Sequence, residues 1–319
     1  MSDLVVNNLP ELGQAANKMA MQGLFEAYRE RKSYNTASRH RVDLANFRIF
    51  LQDAGSITGD LYQDISAWQG ITWGILEGYS KWLLSKGYAV QTINGRIGTV
   101  KVYAEMAAKA NIISGEALAL IRTVKGYSRR EAKRVAKPLA RVGYKKAVAT
   151  SLDDTQTENL KQQEDLRNRL MMCLFLDLGL RLGELASLTV ESFNLPQGTI
   201  TFYREKVDRT ETHQLFPDSL AAAKEWLPVC EGIVFPAYNN IGKPINRAMC
   251  KRSINYVVGV LGAAVGIEGL LSPHDLRHRW ATINAWRGLD WLMAAGGWNS
   301  YSMPLRYIER GKIANAIQH

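Results

Sequence analysis

The chain has 319 residues, of which 46% are hydrophobic and 22% charged, and its formal net charge at pH 7 is +10. This composition excludes a wholly disordered chain, allows one large domain or two of ordinary size, and favours a polyanionic partner. Three cysteines without a C-x-x-C pair argue against a disulfide framework and indicate a reducing cytoplasm, and no residues cluster with metal-ligand spacing. Neither a signal peptide nor an apolar run long enough for a bilayer is present, so we expect a cytoplasmic protein without membrane contact.

A helical domain is predicted for residues 16–121, after a loose tail at residues 1–15. Apolar residues recur at helical spacing in four places, and Thr36 is the predicted cap of the helix that carries Val42 to Leu51. Cations on the polar faces of these helices are candidates for contacts with phosphate, although ordinary solvated positions are the alternative for each. These candidates are Arg39, Arg41, Arg96 and Lys101.

Almost all of the excess charge lies in one central segment, residues 122–146. This segment holds ten Lys and Arg residues and one acid, Glu131, whereas residues 1–121 hold twelve basic and eleven acidic residues and residues 147–319 hold eighteen of each. Because such a run repels itself unless an anion neutralises it, we interpret it as a basic linker that touches phosphate; a solvated charged face is the alternative. The candidate contacts are Arg129, Arg130, Lys133, Arg134, Lys137 and Arg141.

Residues 147–319 are predicted to form a larger domain that is mainly α with one small β-hairpin. Helices are predicted at Leu166–Leu176 and Arg181–Leu188. Alternation in Thr199–Tyr203 and a return at Thr212–Phe216 predict the hairpin. Helices are predicted to resume from Ser219 and to continue to the end of the chain.

The stretch Ser272-Pro-His-Asp-Leu-Arg-His predicts the start of a helix. Ser272 is a good N-cap, proline suits the first helical position, and Asp275 stands where an acid reaches back to the cap. His274 and Arg277 share a face of the first turn, where the helix dipole and free N–H groups favour an anion. We interpret the pair as a phosphate site; the alternative is a capping box followed by ordinary surface residues.

Two further stretches place polar groups among apolar ones. Arg181 stands among leucines, so it is expected to be partly buried and to need a partner, which Glu184 three residues later can supply. The alternative is an ion pair on a helix surface. Trp298 and Tyr307 lie nine residues apart on either side of Pro304, and two core aromatics are the alternative there.

In their order and spacing these stretches resemble the tyrosine recombinase (phage integrase) family. The family has an Arg followed three residues later by an acid in a leucine-rich helix, then an H-x-L-R-H box, then a Gly-(His/Trp) element nine residues before the nucleophilic tyrosine. The matching positions are Arg181 and Glu184, His274 to His278, and Gly297-Trp298 with Tyr307. The hairpin lysine of the family falls on Lys206. Many members have His where this chain has Trp298, and the Cre-like members resemble this chain in having Trp there. An indole donates a hydrogen bond but takes up no proton.

The resemblance spans about residues 150–310 and implies a helical, SAM-like core-binding domain at 16–121 and an α+β catalytic domain at 147–319. It implies a site-specific recombinase of bacterial or phage type that acts on double-stranded DNA as a homotetramer, through a 3′-phosphotyrosine intermediate and a Holliday junction. Accessory proteins, a role in mobile elements and association with the nucleoid are further expectations. No cofactor or metal is expected, because the covalent intermediate keeps the energy of the broken bond.

The resemblance also implies a role for each matched residue. Tyr307 is the nucleophile, His274 the candidate general base and Lys206 the general acid for the leaving 5′ oxygen. The remaining catalytic donors to the phosphate are Arg181, Arg277 and Trp298, and Glu184 supports the first arginine.

Two other functions and one other nucleophile remain open at this point. A type IB topoisomerase shares the chemistry but relaxes supercoils without a specific site. A non-catalytic DNA-binding protein with the same fold is the second alternative, against which the complete set of site residues argues. Tyr301, six residues before Tyr307, is the alternative nucleophile.

Overall fold

The computed structural model describes residues 9–56, 58–128, 131, 152–239, 241–267 and 269–306. These residues form a mainly helical protein with small antiparallel sheets, which confirms the predicted fold class. Contacts divide the chain into two compact units, Met1–Tyr144 and Lys145–His319. Within the described ranges no helix is both long and apolar enough to cross a membrane, and no group of three or more His, Cys, Asp or Glu side chains could hold a metal ion.

The first unit is a helical bundle with an aromatic core. Helices α3 and α5 pack against each other, and α4 packs against both α5 and α6. The side chains of Phe47, Trp68, Tyr79 and Tyr103 are fully buried between them. The described helices are α1 (Leu9–Met21), α2 (Leu24–Glu30), α3 (Tyr34–Asp53), α4 (Trp73–Ser85), α5 (Val90–Lys109) and α6 (Gly115–Thr123), with a 3-10 turn at Ile65–Trp68.

The start of this unit differs from the sequence prediction. Helix α1 begins at Leu9, inside the segment expected to be a loose tail; most of its residues, such as Leu, Ala, Met, Glu, Gln and Lys, are good helix formers, and none of them is buried. The N-cap of α3 is Ser33, whose side chain accepts the backbone N–H of Thr36, so the prediction of Thr36 as the cap was wrong. Ser33 and Thr36 are both residue types that cap helices, and the helix begins after the earlier one.

The second unit combines seven described helices with two small sheets. The helices are α7 (Asp154–Lys161), α8 (Leu166–Leu178), α9 (Leu182–Ala186), α10 (Pro217–Trp226), α11 (Lys251–Ala264), α12 (Pro273–Ile283) and α13 (Leu289–Gly296). The strands are β1 (Phe193–Asn194), β2 (Thr199–Arg204), β3 (Arg209–Gln214), β4 (Pro236–Tyr238) and β5 (Pro244–Ala248). One antiparallel sheet has the order β1-β2-β3, and β4 pairs with β5.

Helix α8 is the centre of this unit. All residues from Leu170 to Leu176 are buried, and α8 packs against α7, α10 and α12. It ends at Leu178, and the residue that caps it, Gly179, has a positive φ of 58°. A Cβ on Gly179 would lie 2.4 Å from the ring of Trp280, so glycine is required both by the turn and by the close approach of α12.

The hairpin of β4 and β5 lies where the sequence predicted only helices. Its strands are short, a proline begins each of them, and a bulge interrupts their pairing. Proline removes a ladder hydrogen bond, and irregular pairing removes the alternation of apolar and polar residues on which a strand prediction depends.

Candidate active site

Arg181 and Glu184 form an internal pair at the start of α9. Arg181 is the N-cap of this helix and precedes its first turn, whereas the sequence placed it inside the helix. The Glu184 carboxylate accepts the backbone N–H of Arg181 at 2.9 Å and its Nη1 at 2.7 Å. Since the Glu184 side chain is only 5% exposed, the pair is not an ordinary surface ion pair.

The predicted capping box at the start of α12 is present. Ser272 Oγ accepts the N–H of Asp275, and the Asp275 carboxylate accepts the N–H of Ser272 at 3.0 Å and its hydroxyl at 2.6 Å. These bonds fix the first turn, which carries His274 and Arg277 on one face. Asp275 therefore has a structural role at this helix start.

Arg277, on the first turn of α12, has a buried side chain. Its side chain is 3% exposed and donates from Nη1 to the Gly179 carbonyl and from Nη2 to the Gly296 carbonyl. Its Cζ lies 4.5 Å from the centre of the Trp298 ring, in a cation–π arrangement. The alternative of an ordinary surface residue is therefore wrong for Arg277.

Three arginines converge on the C-terminal end of α13. Arg204 Nη2 donates to the Ala295 carbonyl at 2.8 Å, Arg277 to the Gly296 carbonyl, and Arg181 Nη2 to the Gly297 carbonyl at 2.8 Å. The last carbonyls of a helix have no partner within it and carry the negative end of its dipole, so cationic donors suit them. Three different elements thus place a guanidinium at one helix end.

Trp298 follows these carbonyls directly and is 5% exposed. It packs against Trp280 with a centroid distance of 6.2 Å. A Cβ on Gly296 would lie 2.4 Å from the Trp298 ring, and one on Gly297 would lie 1.9 Å from Arg204 Nη1. The two glycines therefore allow the indole and a guanidinium to lie against the main chain.

His274 is exposed at the site, and Lys206 lies at the tip of the β2–β3 hairpin. Partial desolvation is the largest cause that lowers the pKa of His274 below its ordinary value, and the charges of Arg277 and Lys206 act in the same direction, while Asp275 opposes them. The imidazole is therefore neutral at pH 7 and able to accept a proton. Lys206 is close enough to contribute to this effect although it comes from another element.

Tyr301, the alternative nucleophile, donates its hydroxyl hydrogen bond to Asp290. This bond is the largest cause that raises the pKa of Tyr301, so its phenol retains its proton more firmly than a free one. Tyr307 itself lies outside the described residues, and the last described turn is Pro304–Arg306.

The sequence profile of the phage integrase family matches residues 145–312, more than half of the chain. The chain belongs to the phage integrase family. Its relatives include tyrosine recombinase XerC of Lactobacillus delbrueckii subsp. bulgaricus, 25% identical over 85% of this chain and 87% of the relative. Tyrosine recombinase XerD of Shewanella oneidensis is 23% identical over 78% of this chain and 77% of the relative. The protein is thus an enzyme of the tyrosine recombinase class.

Solved structures of integrases share the fold. The Tn1549 transposon integrase in complex with transposon right end DNA has a TM-score of 0.63 and 16% identity, covering 92% of this chain and 95% of that one. A dimer of lambda integrase bound to a COC′ core site has a TM-score of 0.61 and 15% identity, covering 92% of this chain and 97% of that one. At such identities the likeness concerns the fold alone.

The candidate DNA contacts in the first unit of this recombinase fall into two groups. Arg39 and Arg41 are exposed, as the prediction requires. Arg96 instead donates to Asn46 Oδ1 at 2.7 Å and lies 4.1 Å from the centre of the Tyr88 ring. Lys101 donates to the carbonyls of Arg122 and Val124 at the end of α6.

Arg96 and Lys101 therefore have partners within the helical bundle, which favours a stabilising role for them over a contact with phosphate. The position of a cation on the polar face of a helix does not show whether it contacts another residue or solvent. For this reason the sequence suggested all four cations as phosphate contacts. The six candidate contacts of the basic linker lie outside the described residues.

Sequence reasoning missed Arg204 altogether. The side chain has no exposed surface, and it lies two residues before Lys206 at the end of β2. A signal was present, because Ile200, Phe202 and Arg204 alternate along the strand and share its inward face. An arginine at an inward position of a strand indicates a buried charge with partners.

Proposed function

We propose that this enzyme is a site-specific DNA recombinase that cuts and rejoins double-stranded DNA through a 3′-phosphotyrosine. The observation that carries the proposal is the convergence of Arg181 and Arg277 on adjacent carbonyls, those of Gly297 and Gly296, directly before Trp298. Residues from motifs far apart in the sequence thereby reach one helix end, and His274 lies on the same first turn of α12 as Arg277. Such an array of donors suits a phosphodiester whose negative charge grows in the transition state.

In the proposed cleavage step the Tyr307 hydroxyl oxygen attacks the scissile phosphorus. The bond between phosphorus and the 5′ oxygen breaks, and the phosphate remains joined to tyrosine at the 3′ end. His274 accepts the phenolic proton, and Lys206 gives a proton to the departing 5′ oxygen. A second 5′ hydroxyl then displaces the tyrosine, so strand exchange proceeds through a Holliday junction without loss of bond energy.

In the proposed transition state Arg181 and Arg277 would stabilise the negative charge on the non-bridging oxygens. Arg181 has Glu184 on one side of its guanidinium, and its 19% exposed side chain leaves part of it open to a ligand. Trp298, in the position that the Cre-like members fill with the same residue, would add an indole donor but no proton transfer. Glu184 would support Arg181 without touching DNA.

The proposal extends to partners and organisation. The DNA-bound integrase structures that share this fold support double-stranded DNA as the substrate. We propose a homotetramer on two sites, assisted by accessory proteins, in the bacterial cytoplasm near the nucleoid. The helical domain at 16–121, the basic linker at 122–146 and the catalytic domain at 147–319 would bind the duplex together, with Arg39, Arg41 and the linker cations on phosphates.

The test is covalent capture. Cells that express the protein are lysed in SDS without crosslinker, and the DNA that remains attached to the protein is sequenced. Tyr307→Phe is the test variant, and Tyr301→Phe is the matched control. We expect one recurrent DNA sequence with the wild type and with Tyr301→Phe, and none with Tyr307→Phe.

Three results would contradict the proposal. Recovery that Tyr307→Phe leaves unchanged would place the nucleophile elsewhere. Purified protein that forms no adduct with DNA of its source would indicate a binding protein without catalysis. Adducts without any recurrent sequence, together with relaxation of a supercoiled plasmid, would favour the topoisomerase alternative.

A further inference from the structure

We propose that Arg204 is a positioning residue that sets the hairpin lysine, Lys206, at the leaving 5′ oxygen. This inference rests on the proposed function, in which Lys206 is the general acid. Lys206 lies on a four-residue turn, Glu205 to Asp208, and its own side chain is exposed. A lysine at the tip of a turn has many accessible positions, so another part of the hairpin has to fix where the tip lies.

Arg204 is the residue through which the hairpin contacts the rest of the site. Its Nη2 donates to the Ala295 carbonyl at 2.8 Å, and its Nε forms an ion pair with Glu211 of β3 at 3.0 Å. Gly297 approaches its guanidinium so closely that no Cβ fits between them. One side chain therefore joins both strands of the hairpin to the end of α13.

The same side chain is coupled to the first catalytic arginine. Arg204 Nε lies 3.8 Å from Glu184 Oε1, the oxygen that accepts Arg181 Nη1 at 2.7 Å. Arg204 and Arg181 also donate to carbonyls two residues apart, those of Ala295 and Gly297. Arg204 of the hairpin and Arg181 thus contact the same carboxylate, that of Glu184, and the same stretch of main chain at the end of α13.

A structural role alone explains this arrangement less well. Burial disfavours the charged form and lowers the pKa of Arg204, with Glu184 and Glu211 opposing that effect. Well-packed apolar residues often stabilise a fold as much as a buried ion pair does, so stability by itself does not require a charge here. A guanidinium offers several hydrogen-bond donors in fixed directions, which an apolar side chain lacks. Such donors suit a residue that fixes the position of the hairpin.

The test compares two leaving groups. Single-turnover cleavage is measured on a nicked duplex of the captured DNA site, and on the same duplex with sulfur in place of the bridging 5′ oxygen. A thiol leaves without a proton from a general acid because its pKa is far below that of an alcohol. The variants are Arg204→Lys, which keeps the charge but has a single nitrogen, and Lys206→Ala. The matched control is Thr210→Ser on the same hairpin, where the side chain is exposed.

We expect Arg204→Lys to slow cleavage of the oxygen substrate by roughly 10- to 100-fold, since a small displacement of a catalytic group has effects of this order. On the sulfur substrate we expect Lys206→Ala to remain within about threefold of the wild type, and Arg204→Lys to regain most of its lost rate, the remainder being its effect on Arg181 through Glu184. Thr210→Ser should leave both rates unchanged. The ratio of the two rates within one preparation is independent of the folded fraction, so partial misfolding does not imitate the result.

The inference is overturned if Arg204→Lys is equally slow on both substrates while sulfur rescues Lys206→Ala, or if Arg204→Lys cleaves the oxygen substrate at the wild-type rate. A wild type that forms no covalent adduct on either substrate would contradict the proposed function itself. The two failures are therefore distinguishable.

Discussion

The substitution Glu184→Gln tests how the charges of the site support its fold. The glutamine retains the shape of the side chain and an oxygen that accepts the N–H of Arg181. It removes the negative charge that lies between Arg181 and Arg204, whose side chains are 19% and 0% exposed. Removing one partner of a buried pair costs about 3–5 kcal/mol. Because Glu211 still pairs with Arg204 and Arg181 is partly exposed, we expect a loss of about 2–4 kcal/mol.

The assay is urea unfolding of the wild type and the variant without DNA, followed by a probe in the second unit, with the m-value checked for constancy. The matched control is Glu225→Gln, which breaks the ion pair of Glu225 with Arg169, two side chains that are 44% and 30% exposed. That change should cost less than about 1 kcal/mol. If Glu184→Gln loses no more free energy of unfolding than Glu225→Gln, the electrostatic argument for this site is refuted.

Three further predictions concern steric fit, protonation and DNA contact. Gly297→Ala should destabilise the protein by more than the roughly 1–2 kcal/mol that a positive φ alone costs an L-residue, because the new Cβ would meet Arg204; urea unfolding that shows a smaller loss would contradict this. Since the pKa of His274 is lowered and the base has to be neutral, single-turnover cleavage should decline only below pH ~6.5, and His274→Gln should remove that limb; a midpoint above this pH in the wild type would contradict the assignment. In binding titrations Arg39→Ala should lower the slope of log affinity against log salt by about 0.9. Arg96→Ala should lower the melting temperature and leave the slope unchanged. If Arg96→Ala lowers the slope and Arg39→Ala lowers only the melting temperature, then Arg96 and not Arg39 contacts phosphate.

The sequence predicted the parts of the site that depend on local rules. Ser272 and Asp275 identify a helix start by their spacing, and that start presents His274 and Arg277 on one face. Partial burial of Arg181 followed from the leucines around it, and the structure shows the pair with Glu184. Each of these inferences uses residues within one helical turn of each other.

The missed features depend on contacts between segments that are distant in the chain. The Ala295 and Gly296 carbonyls bind Arg204 and Arg277, and no local pattern indicates which main-chain oxygens an arginine reaches. For the same reason the internal partners of Arg96 could not be read from its position on a polar helix face. The roles of Lys206, Trp298 and Tyr307 remain predictions. They rest on the resemblance to the family and not on a local pattern in the sequence.

The acceptors at the end of α13 are main-chain oxygens, and every amino acid supplies such an oxygen. Any residue at position 295 therefore still offers a carbonyl to Arg204. At positions 296 and 297 the lack of room for a Cβ, and not the need for a particular chemical group, restricts the residue. A site anchored in this way tolerates extensive divergence of the surrounding side chains while its guanidinium groups keep their places. It also restricts protein engineering, because a hairpin transplanted from another recombinase would have to bring an arginine of the same reach or lose its attachment to this helix end.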